Sequence, residues 1–230
     1  MEFMIKKLLL FAIVGCTLLL TASAQAGLTG FYYNLPNSHP DMEGLITGLD
    51  RGYVETALTG ATPTLTPYGD TRVKQWDWWD AQYAVGSRVD SDADLQSNFA
   101  SNFFPSIVNE GLPGDPFHFA VHWTGQFYVD QDKLYNYTMG SDDDSWLFID
   151  NSLVLDLGGV HGVTYDNYNV SLAQGYHTID IFFAERHVVQ SGFQLNFFSD
   201  LEPTPTVPEP ATLLLLGLGL LAVGFVIRKH

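Results

Sequence analysis

The stretch from Gly140 to Gly162, GSDDDSWLFIDNSLVLDLGGVHG, restricts what this chain can fold into more than any other. Three consecutive carboxylates, Asp142, Asp143 and Asp144, stand where one strand-like segment ends and the next begins. Like charges at that spacing repel, so such a run lies in water or surrounds a cation. The acidic run does not continue into a solvated tail. Trp146, Phe148 and then Leu153, Val154 and Leu155 are apolar and strand-forming, and Asp150-Asn151 suits the two-residue turn of a hairpin. An acidic corner held between buried strands offers hard oxygen ligands, the kind that suit Ca²⁺.

The β pattern extends well beyond this corner. Phe117, Phe119, Val121 and Trp123 alternate with His118, Ala120, His122 and Thr124, which predicts one apolar face. Further strands are expected near 126–130, 134–139, 145–149, 152–157, 168–172, 177–185 and 192–198. Upstream, 27–36 reads as an opening strand, and 37–72, rich in Gly, Thr and Pro, as loops around short strands. Many short strands with frequent turn signals predict an all-β protein, an antiparallel β-sandwich with short helices.

Two other segments have competing readings. In Lys74-Gln75-Trp76-Asp77-Trp78-Trp79-Asp80, an extended backbone would put Trp76 and Trp78 on one face. They then form either a platform for sugar rings or a plug in the core, where aromatic burial dominates. Asp90-Ser91-Asp92-Ala93-Asp94 has the spacing that opens an EF-hand loop, but Leu95 replaces the required glycine and Ser101 the bidentate Glu. A helix over 95–104, capped by one of these acids and ended by Pro105, accounts for it better.

The chain ends carry addresses. Residues 1–26 read as a signal peptide: Lys6 and Lys7, an apolar run from Leu8 to Leu20, then small residues suited to a cut after Ala26. At the other end, Pro208-Glu209-Pro210 precedes seventeen apolar residues, Ala211 to Ile227, and the basic tail Arg228-Lys229-His230. That length and flanking charge suit a membrane-spanning helix with its basic end in the cytoplasm. Between the ends, within 27–202, six basic residues face twenty-four acidic ones, a net charge near −18. Such a domain repels nucleic acid and anionic membranes and attracts cations. The sole cysteine, Cys16, lies in the signal, so no disulfide stiffens the domain.

Residues 140–162, with Asp180-Ile181-Phe182-Phe183-Ala184-Glu185-Arg186-His187, Ser191-Gly192-Phe193, Gly30-Phe31-Tyr32 and Trp123-Thr124-Gly125, resemble the fibro-slime branch of the protective-antigen (PA-fourteen type) β-sandwich domains. Those domains occur in microbial adhesins and some glycosidases. In the sugar-binding members, two adjacent aspartates joined by a cis peptide grip one Ca²⁺. The resemblance places that pair at Asp142 and Asp143, with Asp144 where relatives often have glycine. It places the remaining ligands in the loop 187–192. That loop lacks the family's asparagine, leaving Gln190 as the candidate side-chain ligand, with Val188 and Val189 beside the sugar. Trp146, His161, Glu185 and His187 complete the implied ligand-binding set.

A second reading of Glu185, His187 and His161 is a zinc site with an open position. A third is a hydrogen-bonded cluster tying the DLGGVH turn to the late strand, with Arg186 projecting oppositely toward an aspartate. The C-terminal segment resembles the PEP-CTERM sorting tag, which implies an exosortase-type processing enzyme, a transient inner-membrane anchor and release to the surface or matrix of a Gram-negative bacterium. The domains expected are therefore 1–26 signal, 27–202 sandwich, 203–210 linker and 211–230 helix with tail. The expected function is Ca²⁺-dependent recognition of glycans or exopolysaccharide, without catalytic residues. The alternatives are a matrix protein with purely structural Ca²⁺ and, less favoured, a glycosidase or zinc hydrolase.

Overall fold

The computed structural model describes residues 27–44, 46–91, 95, 118–187 and 191–196. Among the described residues, nine strands form two antiparallel sheets. The strands are β1 (Gly27–Asn34), β2 (Ala84–Ser91), β3 (Phe119–Val129), β4 (Lys133–Asp142), β5 (Asp144–Ile149), β6 (Ser152–Leu157), β7 (Thr164–Leu172), β8 (Gly175–Glu185) and β9 (Gly192–Asn196). The larger sheet has the order β2-β1-β3-β8-β5-β6 and the smaller the order β7-β4-β9. The β-sandwich anticipated above is the observed architecture. The helix expected over 95–104, apart from Leu95, and the C-terminal helix lie outside the described residues. Among the described residues, no helix is long and apolar enough to cross a membrane.

The principal core fills the space between the sheets. Phe119, Val121 and Trp123 of β3 meet Tyr137, Met139, Phe193 and Leu195 of the smaller sheet. This is the apolar face that the alternation predicts. The opposite face of the larger sheet is covered as well. Ala120, Trp146, Phe148, Phe182 and Ala184 pack under Leu35, Tyr53, Val54, Trp78 and Trp79, which belong to the long excursion between β1 and β2. Being covered on both sides, β5 is buried at every position, and for the same reason its residues 146–149 run apolar without alternation.

The tryptophans settle into this second core. Trp78 and Trp79 are buried and Trp76 is half-buried, all outside regular strands, so the pattern expected for an extended segment does not form. Trp76 packs 5.7 Å from Trp146, ring centre to ring centre, and donates its indole N–H to the Pro63 carbonyl. Two further details depart from the expected strands. β3 runs through Gly125 without a break, and β4 continues to Asp142. The turn at Asp150-Asn151 forms as anticipated, with φ of 48° and 63°, the left-handed pair of a type I′ hairpin.

Candidate metal centre

Two chain crossings between the sheets coincide, and the candidate site lies there. β4 belongs to the smaller sheet and β5 to the larger, so the chain changes sheets at Asp142-Asp143-Asp144. β8 and β9 make the same change over residues 186–191. Because β4 pairs with β9 and β5 with β8, the two crossings must lie side by side: Asp142 is opposite Gly192, and Asp144 opposite Ala184. The peptide bond between Asp142 and Asp143 is cis. Asp142, Asp143 and Glu185 each bring one carboxylate oxygen into a group whose members lie within 4.8 Å of one another, and all three residues are buried.

The corner distributes its acids unequally. Asp143 accepts hydrogen bonds from the backbone N–H of His161 (2.7 Å) and of Arg186 (3.0 Å). The backbone of Val163 favours the charged form of Asp142, whose Oδ2 is buried with no partner among the described residues. Glu185 accepts the backbone N–H of His187 at 2.9 Å. Burial raises all three above the ordinary carboxylate range, Asp142 to about 6 and Asp143 to about 7, with the Asp144 charge adding to Asp143. Glu185 is driven up furthest, by burial and then by the charge of Asp143. Three carboxylates in a dry corner cannot all ionise unless a cation joins them.

Asp144 has a different partner. Its two oxygens accept from Arg186 Nε (2.7 Å) and Nη2 (3.0 Å), and Oδ1 also takes the Gly159 N–H at 2.6 Å. The Arg186 guanidinium lies 4.7 Å above the Trp78 ring. Asp144 therefore balances a buried guanidinium, a role its place in the acidic run did not suggest. Glu185 comes from a different strand and was expected among the sugar contacts; it stands instead with the two aspartates.

Two further expectations change. Trp146 is fully buried in the second core and faces no ligand space, because β5 is the covered inner strand of the sheet. His161 has both ring nitrogens on backbone carbonyls, Nε2 on Leu157 (3.1 Å) and Nδ1 on Gly162 (2.9 Å). Among the described residues, the metal-capable cluster contains Asp142, Asp143 and Glu185 but neither His161 nor His187, so the two-histidine zinc arrangement does not form there. His161 instead locks the 157–162 turn, whose Gly159 has φ +109° and sits so close to Gly48 that a Cβ would come within 2.5 Å of its carbonyl oxygen. Val188, Val189 and Gln190 lie outside the described residues.

Above the cluster is a cavity of about 190 Å³, lined by Ile46, Asp142, Asp143, Val160, His161, Gly162 and His187. The 43–50 segment closes one side: Thr47 and Gly48 donate their N–H groups to the Val160 carbonyl, and Asp50 donates to that of Gly158. Glu43 is held by His118 at 3.0 Å. Nothing in the amino-acid order alone marked this early segment as a neighbour of the acidic corner.

Residues 100–209 match the PA14 domain, and residues 206–229 match the PEP-CTERM protein-sorting motif. The match to the sorting motif indicates export. Protein psiE of Dictyostelium discoideum is 35% identical over 112 residues, covering 41% of this chain and 22% of that protein. The chain therefore spans only about a fifth of that relative's length. Among solved structures, the PA14 domain of the MpAFP antifreeze protein is similar, with a TM-score of 0.48, 15% identity and coverage of 76% of this chain and 85% of that one. The PA14 sugar-binding domain from an RTX adhesin gives a TM-score of 0.46 at 17% identity, covering 75% and 88%.

Proposed function

We propose that this protein is an exported, Ca²⁺-dependent carbohydrate-binding module acting in adhesion or in an exopolysaccharide matrix. One observation carries the reading: Asp142, Asp143 and Glu185 converge in a buried corner, and a buried oxygen of Asp142 has no partner there among the described residues. The donor set fits the ion. Ca²⁺ takes about 6–8 oxygen ligands and tolerates irregular geometry, so carboxylates from two chain crossings can supply part of its shell. When bound, the ion would neutralise the cluster and offer its remaining positions to sugar hydroxyls. The protein's part is to hold the acids: backbone N–H groups of His161 and Arg186 orient Asp143, and that of His187 orients Glu185. The cavity above them gives a saccharide a place to sit, with His187 on its wall.

The PA14 match agrees with a binding module, and the PEP-CTERM motif with cleavage by an exosortase-type enzyme in a Gram-negative host. A glycosidase reading gains little support from the corner. Its carboxylates lie within 4.8 Å and are buried, whereas glycosidases hold theirs ~5–9.5 Å apart on either side of an accessible bond. A purely structural ion is the second reading, favoured by the burial of all three acids. A glycan array probed with the full-length protein separates the two. Binding to a defined glycan set with Ca²⁺ and its loss in chelator is the expected result. A calcium-stabilised protein that binds no glycan would establish the structural ion instead.

A further inference from the structure

A second cavity of about 190 Å³ lies beside the first, across a ridge to which Gly44, Ile46, Thr47 and the Arg186-His187 dipeptide belong. Gly44, Thr47 and Arg186 line the second cavity; Ile46 and His187 line the first. The second is built from unusual material. Between residues 27 and 202 there are only six basic residues, and three of them, Arg72, Lys74 and Arg186, line this one cavity.

The acids around it are already committed. The Asp41 carboxylate accepts the N–H groups of Lys74 (2.8 Å), Gln75 (3.0 Å) and the Trp78 indole (3.1 Å). Asp144 is paired with Arg186. Asp50 lies 3.1 Å from Arg72 and accepts the hydroxyls of Tyr53 and Tyr68. The cations have donors to spare. Lys74 gives one ammonium N–H to the Pro40 carbonyl at 3.1 Å, and an ammonium has three. Arg72 bonds through Nε and Nη2 to the Tyr68 hydroxyl, leaving Nη1 without a partner among the described residues. Both side chains are exposed, so solvent or a ligand reaches them. The domain as a whole repels anions, but charges beyond ~8 Å are largely screened at physiological salt, so these near donors decide.

We infer that this cavity receives the carboxylate of an acidic sugar unit, and hence that the glycan taken at the acidic corner is an anionic, uronate-bearing polysaccharide. The second half rests on the calcium reading above; the first does not. The volume fits the role, since whole-ligand pockets run to ~300–1,000 Å³ and this one takes a substituent group while the sugar chain lies across the ridge. Arg72 and Lys74 act as specificity-determining residues, one a planar donor and the other a point charge.

The test compares trigalacturonate with its methyl ester, which has the same shape and no charge. Binding to the full-length protein is measured with Ca²⁺ and with chelator, in the wild type and in an Arg72→Gln/Lys74→Gln variant. We expect the acid to bind about tenfold more tightly than the ester, the effect of one or two charge-assisted hydrogen bonds. In the variant the two probes should bind alike, with ester affinity and the calcium-induced rise in Tm retained. A preference for the acid that survives in the variant would mean that the ion alone reads the carboxylate, and would overturn the inference. Equal binding of acid and ester to the wild type, or binding of neither, would overturn it too. Failure of the calcium reading looks different: chelator would leave ester binding unchanged while the acid preference still depended on Arg72 and Lys74.

Discussion

At the residue scale, three neighbouring aspartates have separate physical lives, and substitutions should separate them. A ligand that binds only the folded state adds RT ln(1 + [L]/Kd), ~2.7 kcal/mol at a hundred times Kd, or a rise of roughly 5–10 °C in a domain of this size. Calcium should raise the Tm of the full-length protein by that order. Asp142→Asn should abolish the rise and, by removing one of the mutually repelling charges, leave the metal-free protein slightly more stable than the wild type. Asp92→Ala should leave the rise intact. Asp144→Asn should behave in the opposite way. It strips a buried guanidinium of its carboxylate, which costs ~3–5 kcal/mol, and the Tm should drop by on the order of 10 °C with or without calcium. If Asp142→Asn and Asp144→Asn give the same melting curves, the division of roles is wrong.

The acids also predict a pH profile. Asp142 and Asp143 are raised in the fold to about 6 and about 7, above their unfolded values. The folded state thus binds more protons, and the stability this confers is fully present below the unfolded carboxylate pKa and lost as pH rises through the folded values. Metal-free protein should therefore lose Tm between roughly pH 4 and 7 through this site. Saturating calcium replaces the protons and should flatten that decline; differential scanning fluorimetry over the range, with and without chelator, reads both curves.

At the element scale, the site depends on turns and on the sheet that carries them. The 157–162 turn brings Gly159 N–H to Asp144 and His161 N–H to Asp143. Gly159→Ala meets both a positive φ and backbone in the way, so it should cost ~2–4 kcal/mol and weaken calcium binding together, as read by melting and calcium titration. Trp146→Ala tests a different link. It empties part of the second core and should cost ~3–5 kcal/mol, yet where folded protein remains, glycan selectivity should be unchanged, because Trp146 touches core and no ligand space. A shift in selectivity without loss of stability would return Trp146 to the binding site.

At the scale of the whole molecule, the sorting motif and the acidic balance belong together. On the function proposed above, a domain near −18 released among polyanions would need specific anchors, and a cation bound at the acidic corner and the cationic cavity would be two such anchors. The ends should be temporary. Mass spectrometry of protein recovered from the medium or matrix of an exosortase-competent cell should find neither Cys16 nor the apolar run 213–227. Intact chain embedded in the membrane of such cells would decide for a permanent anchor.

Much of the architecture was readable in residue order, for local reasons. Alternation along 117–124, the Asp150-Asn151 turn and the apolar, strand-forming residues on either side of it, Trp146, Phe148 and Leu153 to Leu155, express constraints that act between near neighbours, so they predicted strands, hairpin and sandwich. The acidic triplet likewise signalled a corner that could hold a metal ion, since adjacent like charges repel until something neutralises them. Partners were another matter. Glu185 rather than Asp144 joins Asp142 and Asp143 because β4 pairs with β9 while β5 pairs with β8, bringing two distant crossings to one point. Trp146 is core rather than rim because an excursion from before β2 covers that face of the sheet. Arg72, Lys74 and Arg186 line one cavity through the same excursion. Each of these choices turns on long-range pairing, where sequence separation carries no information about distance, and only the tertiary structure could make them.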